Sequence, residues 1–371
     1  MPRATVLRLL VLLAIATTSG VASAQEPAQA LPVSAAPSAA QPEPAPIPPP
    51  EAGRTQSPGL ANDSWLADGP FARMLSADVG HMQPRIDYRA TWFPDETVSG
   101  QGTKLGYVDQ NLSLVVPVWQ DLVDEVSATA GVRNETFHTG GAILPTSHLP
   151  FPDDLWNIRF GANYRHLFDN GWVAGGGISV GSASDQPFHS IDEMFVGVNA
   201  FLRIPQGEHN AWLFSLSYSP MGELPYPLPG VAYIWRPTDY FQMNIGLPLA
   251  LIYRPTEDVT IDFSYMLLRT VHAGVGYRVA PKTRAYMAFD WGSESYFLVD
   301  RPDVNDRFYY FDMRLTGGMQ FFLPHQAVLD LSAGYVFERY YFQGVNSNDS
   351  NVDRIDIGAG PLLGLRAGLR F

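Results

Sequence analysis

The chain has 371 residues, no cysteine, 16% charged and 12% aromatic residues, and a net charge of −13. Without cysteine there are no disulfides, thiolate metal ligands or cysteine nucleophiles. The acidic balance argues against a nucleic-acid partner, whose phosphates call for Lys and Arg. A mean hydropathy of −0.05 does not suit a bundle of membrane helices, yet low charge with many rings suits a chain that faces two solvents.

Residues 1–24 read as an export signal. Arg3 and Arg8 form the basic start, Leu9 to Ala16 a short apolar run, and Ala22-Ser23-Ala24 a small-residue cleavage site. The apolar run is too short to span a bilayer as a helix. Residues 25–60 are rich in Pro and Ala, with Pro48-Pro49-Pro50 in the middle, and have almost nothing to bury. They are expected to be an extended or disordered periplasmic tether. Residues 61–83 carry Trp65, Leu66, Phe71, Met74 and Leu75 and are expected to form a short periplasmic or plug segment.

From residue 84 to 371 the chain reads as strands. Ile86, Tyr88, Ala90 and Trp92 alternate with Arg85, Asp87, Arg89 and Thr91. Trp156, Ile158, Phe160, Ala162 and Tyr164 oppose Asn157, Arg159, Asn163 and Arg165. The same period of two recurs through Val259–Tyr265, Ala285–Trp291, Phe311–Met319 and Leu329–Tyr335, with no competing helical pattern. Short connections such as Gln120-Asp121, Phe168 to Gly171 and Pro324 to Gln326 alternate with long ones such as His138 to Asp153 and Ser293 to Asp306. That matches short periplasmic turns and long outward loops. With tight turns hidden in Met243–Leu251 and Leu267–Val271 the strand count is 16, the value that fits best; 12 and 14 stay open, because strands around Gly246 to Arg254 fall short of the about 9–11 residues a tilted strand needs. The expected fold is an all-β, transmembrane, antiparallel up-and-down barrel of 12–16 strands.

Two aromatic belts are expected where rings sit at bilayer interfaces: Trp119, Trp235, Tyr253 and Phe371 on one side, and Trp92, Phe137, Trp291 and Tyr309 on the other. A small repeat, Ile234-Trp235-Arg236-Pro237-Thr238 and Ile252-Tyr253-Arg254-Pro255-Thr256, places Pro at a strand end, where its missing N–H is harmless. The last stretch, Gly358 to Phe371, puts Leu363, Leu365, Ala367, Leu369 and Phe371 on one face and Arg366 and Arg370 on the other.

The leader, the Pro-rich tether, the two Arg-Pro-Thr-acid turns and the closing Gly-Leu-Arg-Ala-Gly-Leu-Arg-Phe together resemble a domain-of-unknown-function family of bacterial outer-membrane β-barrels. More loosely they resemble outer-membrane transporter barrels. The resemblance spans about Gly80 to Phe371 and implies a fold and a location. It also implies that Leu365, Ala367, Leu369 and Phe371 form a signal read by the barrel-insertion machinery. It brings no catalytic residues.

Charged residues on the polar rows are expected to line the lumen: Arg85, Asp87, Arg89, Asp109, Arg133, Arg159, Arg165, Asp262, Arg278, Asp290, Asp312, Arg314, Asp330, Glu338, Arg366 and Arg370. On the lipid face each Arg would cost about 2–4 kcal/mol at mid-depth. They read either as a salt-bridged wall that fixes register or as an arginine ladder steering anionic solutes. The run Asn348 to Asp353 sets Asp349, Asn351 and Asp353 at alternate positions, a weak cation-loop pattern without the Gly and terminal acid of an EF-hand. Gly177-Ile178-Ser179-Val180-Gly181 matches a nucleophile-elbow string, but no helical pattern follows, so Ser179 reads as a small residue of a Gly-rich strand. His272 reads as lumen-facing and His166 as lipid-facing, both structural. No enzyme activity and no cofactor are expected. The expected partners are outer-membrane lipid, the insertion machinery and small solutes, with oligomeric state open. The favoured function is porin-like passage of small solutes; the alternative is a closed structural or surface-interaction barrel joined to the envelope by its tether.

Overall fold

The computed structural model describes residues 70–221, 226–266, 270–301, 303–346 and 353–371. The export signal, the tether and residues 61–69 lie outside the described residues, as do Asp349 and Asn351.

A six-residue helix, α1 (Pro70–Leu75), precedes a continuous meander. The strands are β1 (Arg85–Thr97), β2 (Lys104–Gln120), β3 (Asp124–His138), β4 (Asp154–Leu167), β5 (Val173–Ser184), β6 (Met194–Gln206), β7 (Asn210–Tyr218), β8 (Leu228–Thr238) and β9 (Phe241–Gly246). They continue as β10 (Leu249–Tyr253), β11 (Val259–Met266), β12 (Thr270–Ala280), β13 (Thr283–Tyr296), β14 (Arg307–Phe322), β15 (Ala327–Gly344), β16 (Ile355–Ile357) and β17 (Gly360–Arg370). Each pairs antiparallel with the next through β15. The short β16 and the longer β17 both pair with β15 and together fill one place in the wall. β17 then pairs with β1, Arg85 opposite Arg370 and Trp92 opposite Leu363. The result is a closed barrel of 16 strands. Closure removes every sheet edge, so each wall backbone group has a neighbour with which to bond. The two expected short strands are real: β9 has 6 residues and β10 has 5.

Alternation decides which side chains face in. Tyr107 of β2 and Tyr310 of β14 meet hydroxyl to hydroxyl at 2.6 Å although their strands are not neighbours, and only the interior permits that. Asp109, Arg133 and Arg159 share that face by register. The opposite face carries exposed apolar side chains, among them Phe160, Ile178, Leu216, Met287 and Leu331. This is the reverse of a water-soluble barrel, which would put its polar row outside.

Among the described residues five register shifts break the parity, and two of them bear on the side-chain assignments. One, between Pro117 and Trp119, falls where Pro cannot donate to the ladder. The other, at Phe311/Met313, opposes Glu338, whose φ is +51°. Beyond it β15 changes face: Glu338 leaves the lumen row to which the sequence assigned it, and Arg339, 2% exposed, turns inward. The belts need a similar correction. Trp119, Trp235, Tyr253, Phe371, Trp92 and Trp291 are exposed as expected, but Phe137 is inside the barrel and Tyr309 is buried against Phe342.

Candidate functional site

The interior has three zones. At the long-loop end the wall is capped by aromatic and aliphatic side chains. Phe93, Tyr107, Phe137, Phe151, Phe308, Tyr310 and Tyr341 form one packed cluster with Leu105, Leu144, Leu155, Ile355 and Leu362. Phe151 and Leu144 come from the 139–153 loop, which folds into the mouth rather than out of it. Its backbone is fastened there: the Asp353 carboxylate accepts from the Thr146 and Ser147 amides at 2.5 and 2.8 Å. That places Asp353, the one described member of the weak cation pattern, in a loop clasp.

The cap also draws on the extended β13–β14 hairpin, which bends across the opening. The Phe297 amide donates to the Ala183 carbonyl at 2.8 Å, and Phe297 forms a parallel bridge with Ser184. β5 and β13 lie on opposite sides of the 16-strand ring, so this contact spans the mouth. Arg307 donates to the Pro220 carbonyl at 2.6 Å, Ser295 to the Met221 carbonyl at 2.9 Å, and Arg301 pairs with Glu193 at 3.3 Å. Glu193 is buried by this contact.

The middle zone is polar and wet. Arg89, Asn111, Arg159, Asn199 and Ser217 all face inward and are all exposed, so solvent reaches the centre of the barrel. Arg366, Arg89, Asn111, Arg133 and Asn157 follow one another across β17, β1, β2, β3 and β4. The inward acids are engaged. Asp87 accepts from Arg366 at 2.7 Å across the β17–β1 seam. Arg133 holds Asp109 at 2.8 Å and Glu135 at 2.9 Å and also pairs with Glu294. Asp312 accepts from Arg314 and from the Tyr310 hydroxyl, each at 2.5 Å. Asp330 takes Tyr286 and Gln320, each at 2.9 Å. His272 stands between Asp262 and Asp290, at 3.1 and 2.6 Å, and ties β11, β12 and β13 together. Gly274 leaves the space this bridge needs, since a Cβ there would lie 2.8 Å from the Asp262 carboxylate.

At the short-turn end the segment after α1 lies against the wall formed by β2 to β8. Glu125, 2% exposed, receives the Arg73 guanidinium and the Gly80 amide at 3.2 Å, with Arg165 3.7 Å away. Arg165 donates in turn to the Ser76 and Asp78 carbonyls, each at 2.8 Å. Val79 sits with Val173, Phe201, Leu213, Ala232 and Ile234, flanked by Met74 and Leu75. The absence of a side chain at Gly175 makes room for Phe201, whose ring a Cβ would meet at 2.5 Å. On the opposite wall Arg85, Arg278 and Arg370 also face inward.

Every charged residue the sequence assigned to the lumen is thus on the inward face, except Glu338. Arg339, Glu125, Glu135, Glu294 and the clasp through Asp353 were missed. Leu365, Ala367, Leu369 and Phe371 lie on the outward face beside the seam. Ser179 faces inward in a regularly paired strand, and His166 sits outward at 2.7 Å from Asp124. Among the described residues no group of three His, Asp or Glu is placed to hold a metal ion.

No protein-family model matches the sequence, and no curated protein does either. The domain-of-unknown-function resemblance therefore gains no support as a family. Solved structures give likenesses of shape. The toluene transporter TodX of Pseudomonas putida aligns with 9% identity and a TM-score of 0.39, over 83% of this chain and 93% of its own. An outer membrane channel from Pseudomonas putida F1 aligns with 10% identity and a TM-score of 0.36, over 80% and 98%. A Pseudomonas aeruginosa FadL homologue aligns with 12% identity and a TM-score of 0.33, over 78% and 90%. At such scores the functional reading has to come from this chain's own residues.

Proposed function

We propose that the protein is an outer-membrane β-barrel that passes small solutes through a gated lumen. The observation that carries this reading is the layering of the interior: a solvated polar middle beneath a cap built from loops and a bent hairpin. A barrel needed only as a wall gains nothing from a wet, arginine-bearing centre, because a packed interior would be more stable. The apolar outward face supplies the membrane part of the reading, and the export leader supplies the route. The cap departs from plain porin-like diffusion: its rings have to separate for a solute to cross. A cap that never opens is the feature that favours the closed structural barrel instead.

The chain has no cysteine, so a lock can be placed cleanly. Ser184→Cys with Phe297→Cys puts a disulfide where two bridged residues already sit within reach. In a planar bilayer the wild-type protein is expected to show discrete openings. The oxidised double variant is expected to be silent and to recover on reduction. A folded wild-type barrel without openings would sink the channel reading. Openings unaffected by oxidation would remove the cap as the gate.

A further inference from the structure

Arg339, Tyr341 and Gln343 occupy alternate positions on β15, past the bulge, and all three face inward. They are 2%, 0% and 3% exposed. Among the described residues each carries polar atoms without a hydrogen-bond partner: Nε and Nη1 of Arg339, the Tyr341 hydroxyl, and both amide atoms of Gln343. Arg339 donates from Nη2 to the Gly358 carbonyl at 3.0 Å. Among the described residues it has no carboxylate at ion-pair distance. The acids of this region are paired, Asp312 with Arg314 and Glu135 with Arg133, although one Glu135 oxygen has no hydrogen-bond partner among the described residues. The Phe93 and Tyr107 rings lie 6.0 and 5.9 Å from the guanidinium carbon, at the edge of cation–π range, and do not replace an anion.

A guanidinium withdrawn from water without a counter-charge is costly, and so is each buried donor left unpaired. The barrel keeps three such residues in one row, spanning about 13 Å at strand spacing. The row runs through the cap, and its neighbours Ile355, Ile357, Phe308 and Tyr310 are apolar or aromatic. What the row lacks is an acceptor for the Arg339 fork and the Tyr341 hydroxyl; what surrounds it suits a hydrocarbon or ring.

From this geometry we infer a binding site for a small carboxylate with an aromatic or aliphatic body, seated in the cap with its anionic end on Arg339 and Tyr341. Two parallel N–H···O bonds from one guanidinium are the usual way a carboxylate is held, and a third from a phenol completes the set. Arg339 lies nearest the solvated middle of the barrel, and Gln343 lies farthest out. An acid crossing the cap would therefore find a polar partner along its whole length while its body stays among the rings. The inference rests on the channel reading and names the class of solute the channel takes.

The test is equilibrium dialysis of labelled benzoate against the full-length protein in detergent, with benzyl alcohol as the neutral counterpart. Saturable benzoate binding is expected, weaker by at least about tenfold in Arg339→Met, because a charged hydrogen-bonding partner is lost. Tyr341→Phe removes one hydroxyl from a packed ring, serves as the milder variant, and is expected to weaken binding severalfold. Heat-modifiable gel mobility checks that each variant is folded. No saturable binding by the wild type, unchanged binding in both variants, or benzyl alcohol bound as tightly as benzoate would each overturn the site. Because dialysis needs no flux, the two readings fail separately. Binding without conductance keeps the site and sinks the channel. Conductance without saturable binding does the reverse.

Discussion

Glu125 is the point at which the segment after α1 is attached to the wall, and Glu125→Ala isolates that attachment. The carboxylate receives Arg73 and the Gly80 amide and lies 3.7 Å from Arg165, which is itself 3% exposed. Removing one member of a buried ion pair costs about 3–5 kcal/mol, and the lower end applies here, because Arg165 keeps its burial while Arg73, 32% exposed, can turn to water. What still holds the segment is the apolar seat of Val79 with Met74 and Leu75, about 1.5–3 kcal/mol for a fully buried side chain, together with the two carbonyl contacts of Arg165 and the reciprocal Met82–Gln120 hydrogen bonds. A loss of about 3 kcal/mol raises the released fraction by a factor of about 100, whatever else still holds the segment. Trypsin reads this directly, since Arg73 becomes cleavable only when the segment leaves the wall. Wild-type barrels in liposomes should resist cleavage after Arg73 while the variant is cut, and mean conductance in the same preparation should rise. Cleavage at the wild-type rate in a folded variant would show that the carboxylate does not hold the segment.

Arg133→Met should lower barrel stability by about 3–5 kcal/mol, seen as a lower urea midpoint, since Asp109 and Glu135 would keep their burial and lose their shared cation. Leu331→Arg, on the outward face and 49% exposed, should cost about 2–4 kcal/mol in lipid, whereas Ser332→Arg on the inward face should cost far less. Equal losses from the two in a refolding titration would refute the assignment of faces. Phe371→Asp should impair insertion and heat-modifiable mobility; normal assembly would remove the closing residue from the insertion signal.

Most of the wall was legible because a strand has a period of exactly two, so a run such as Ile86 to Trp92 shows both of its faces at once. The same arithmetic placed Arg133, Asp262 and Arg366 correctly. It failed where the period broke. Beyond the bulge opposite Glu338, parity counted from Asp330 assigns Glu338 inward and Arg339 outward, and both are the other way round. Glu338 carries no sequence mark of its positive φ, because a non-glycine residue there is uncommon. Phe137 is a different error: it shares parity with Arg133 and Glu135 and so had to face inward, but its place at a strand end suggested a belt. A usable signal existed in Phe308-Tyr309-Tyr310-Phe311 and Tyr340-Tyr341-Phe342. Unbroken aromatic runs mark a segment covered on both faces, which a barrel wall between lipid and water is not.

Those runs also explain why the cap could not be read from alternation. A wall strand needs one face for lipid and one for the lumen, whereas a hairpin bent over the mouth buries both. Tyr309 and Phe311 stack on Phe342 on one face of β14, while Phe308 and Tyr310 stack on Tyr341 on the other. The partners that hold the bend, Ser184 for Phe297, Pro220 for Arg307 and Glu193 for Arg301, come from distant parts of the sequence. Cap and wall therefore differ in what opening them costs. Parting two wall strands exposes a ladder of backbone groups to lipid, a loss of several kcal/mol for each unpaired group. Lifting the bent hairpin breaks a few bonds at its far end and exposes packed rings, with no backbone ladder opened to lipid. If any part of this barrel yields while the rest stays folded, the physical chemistry selects the hairpin, and the unpaired row of Arg339, Tyr341 and Gln343 lies beneath it.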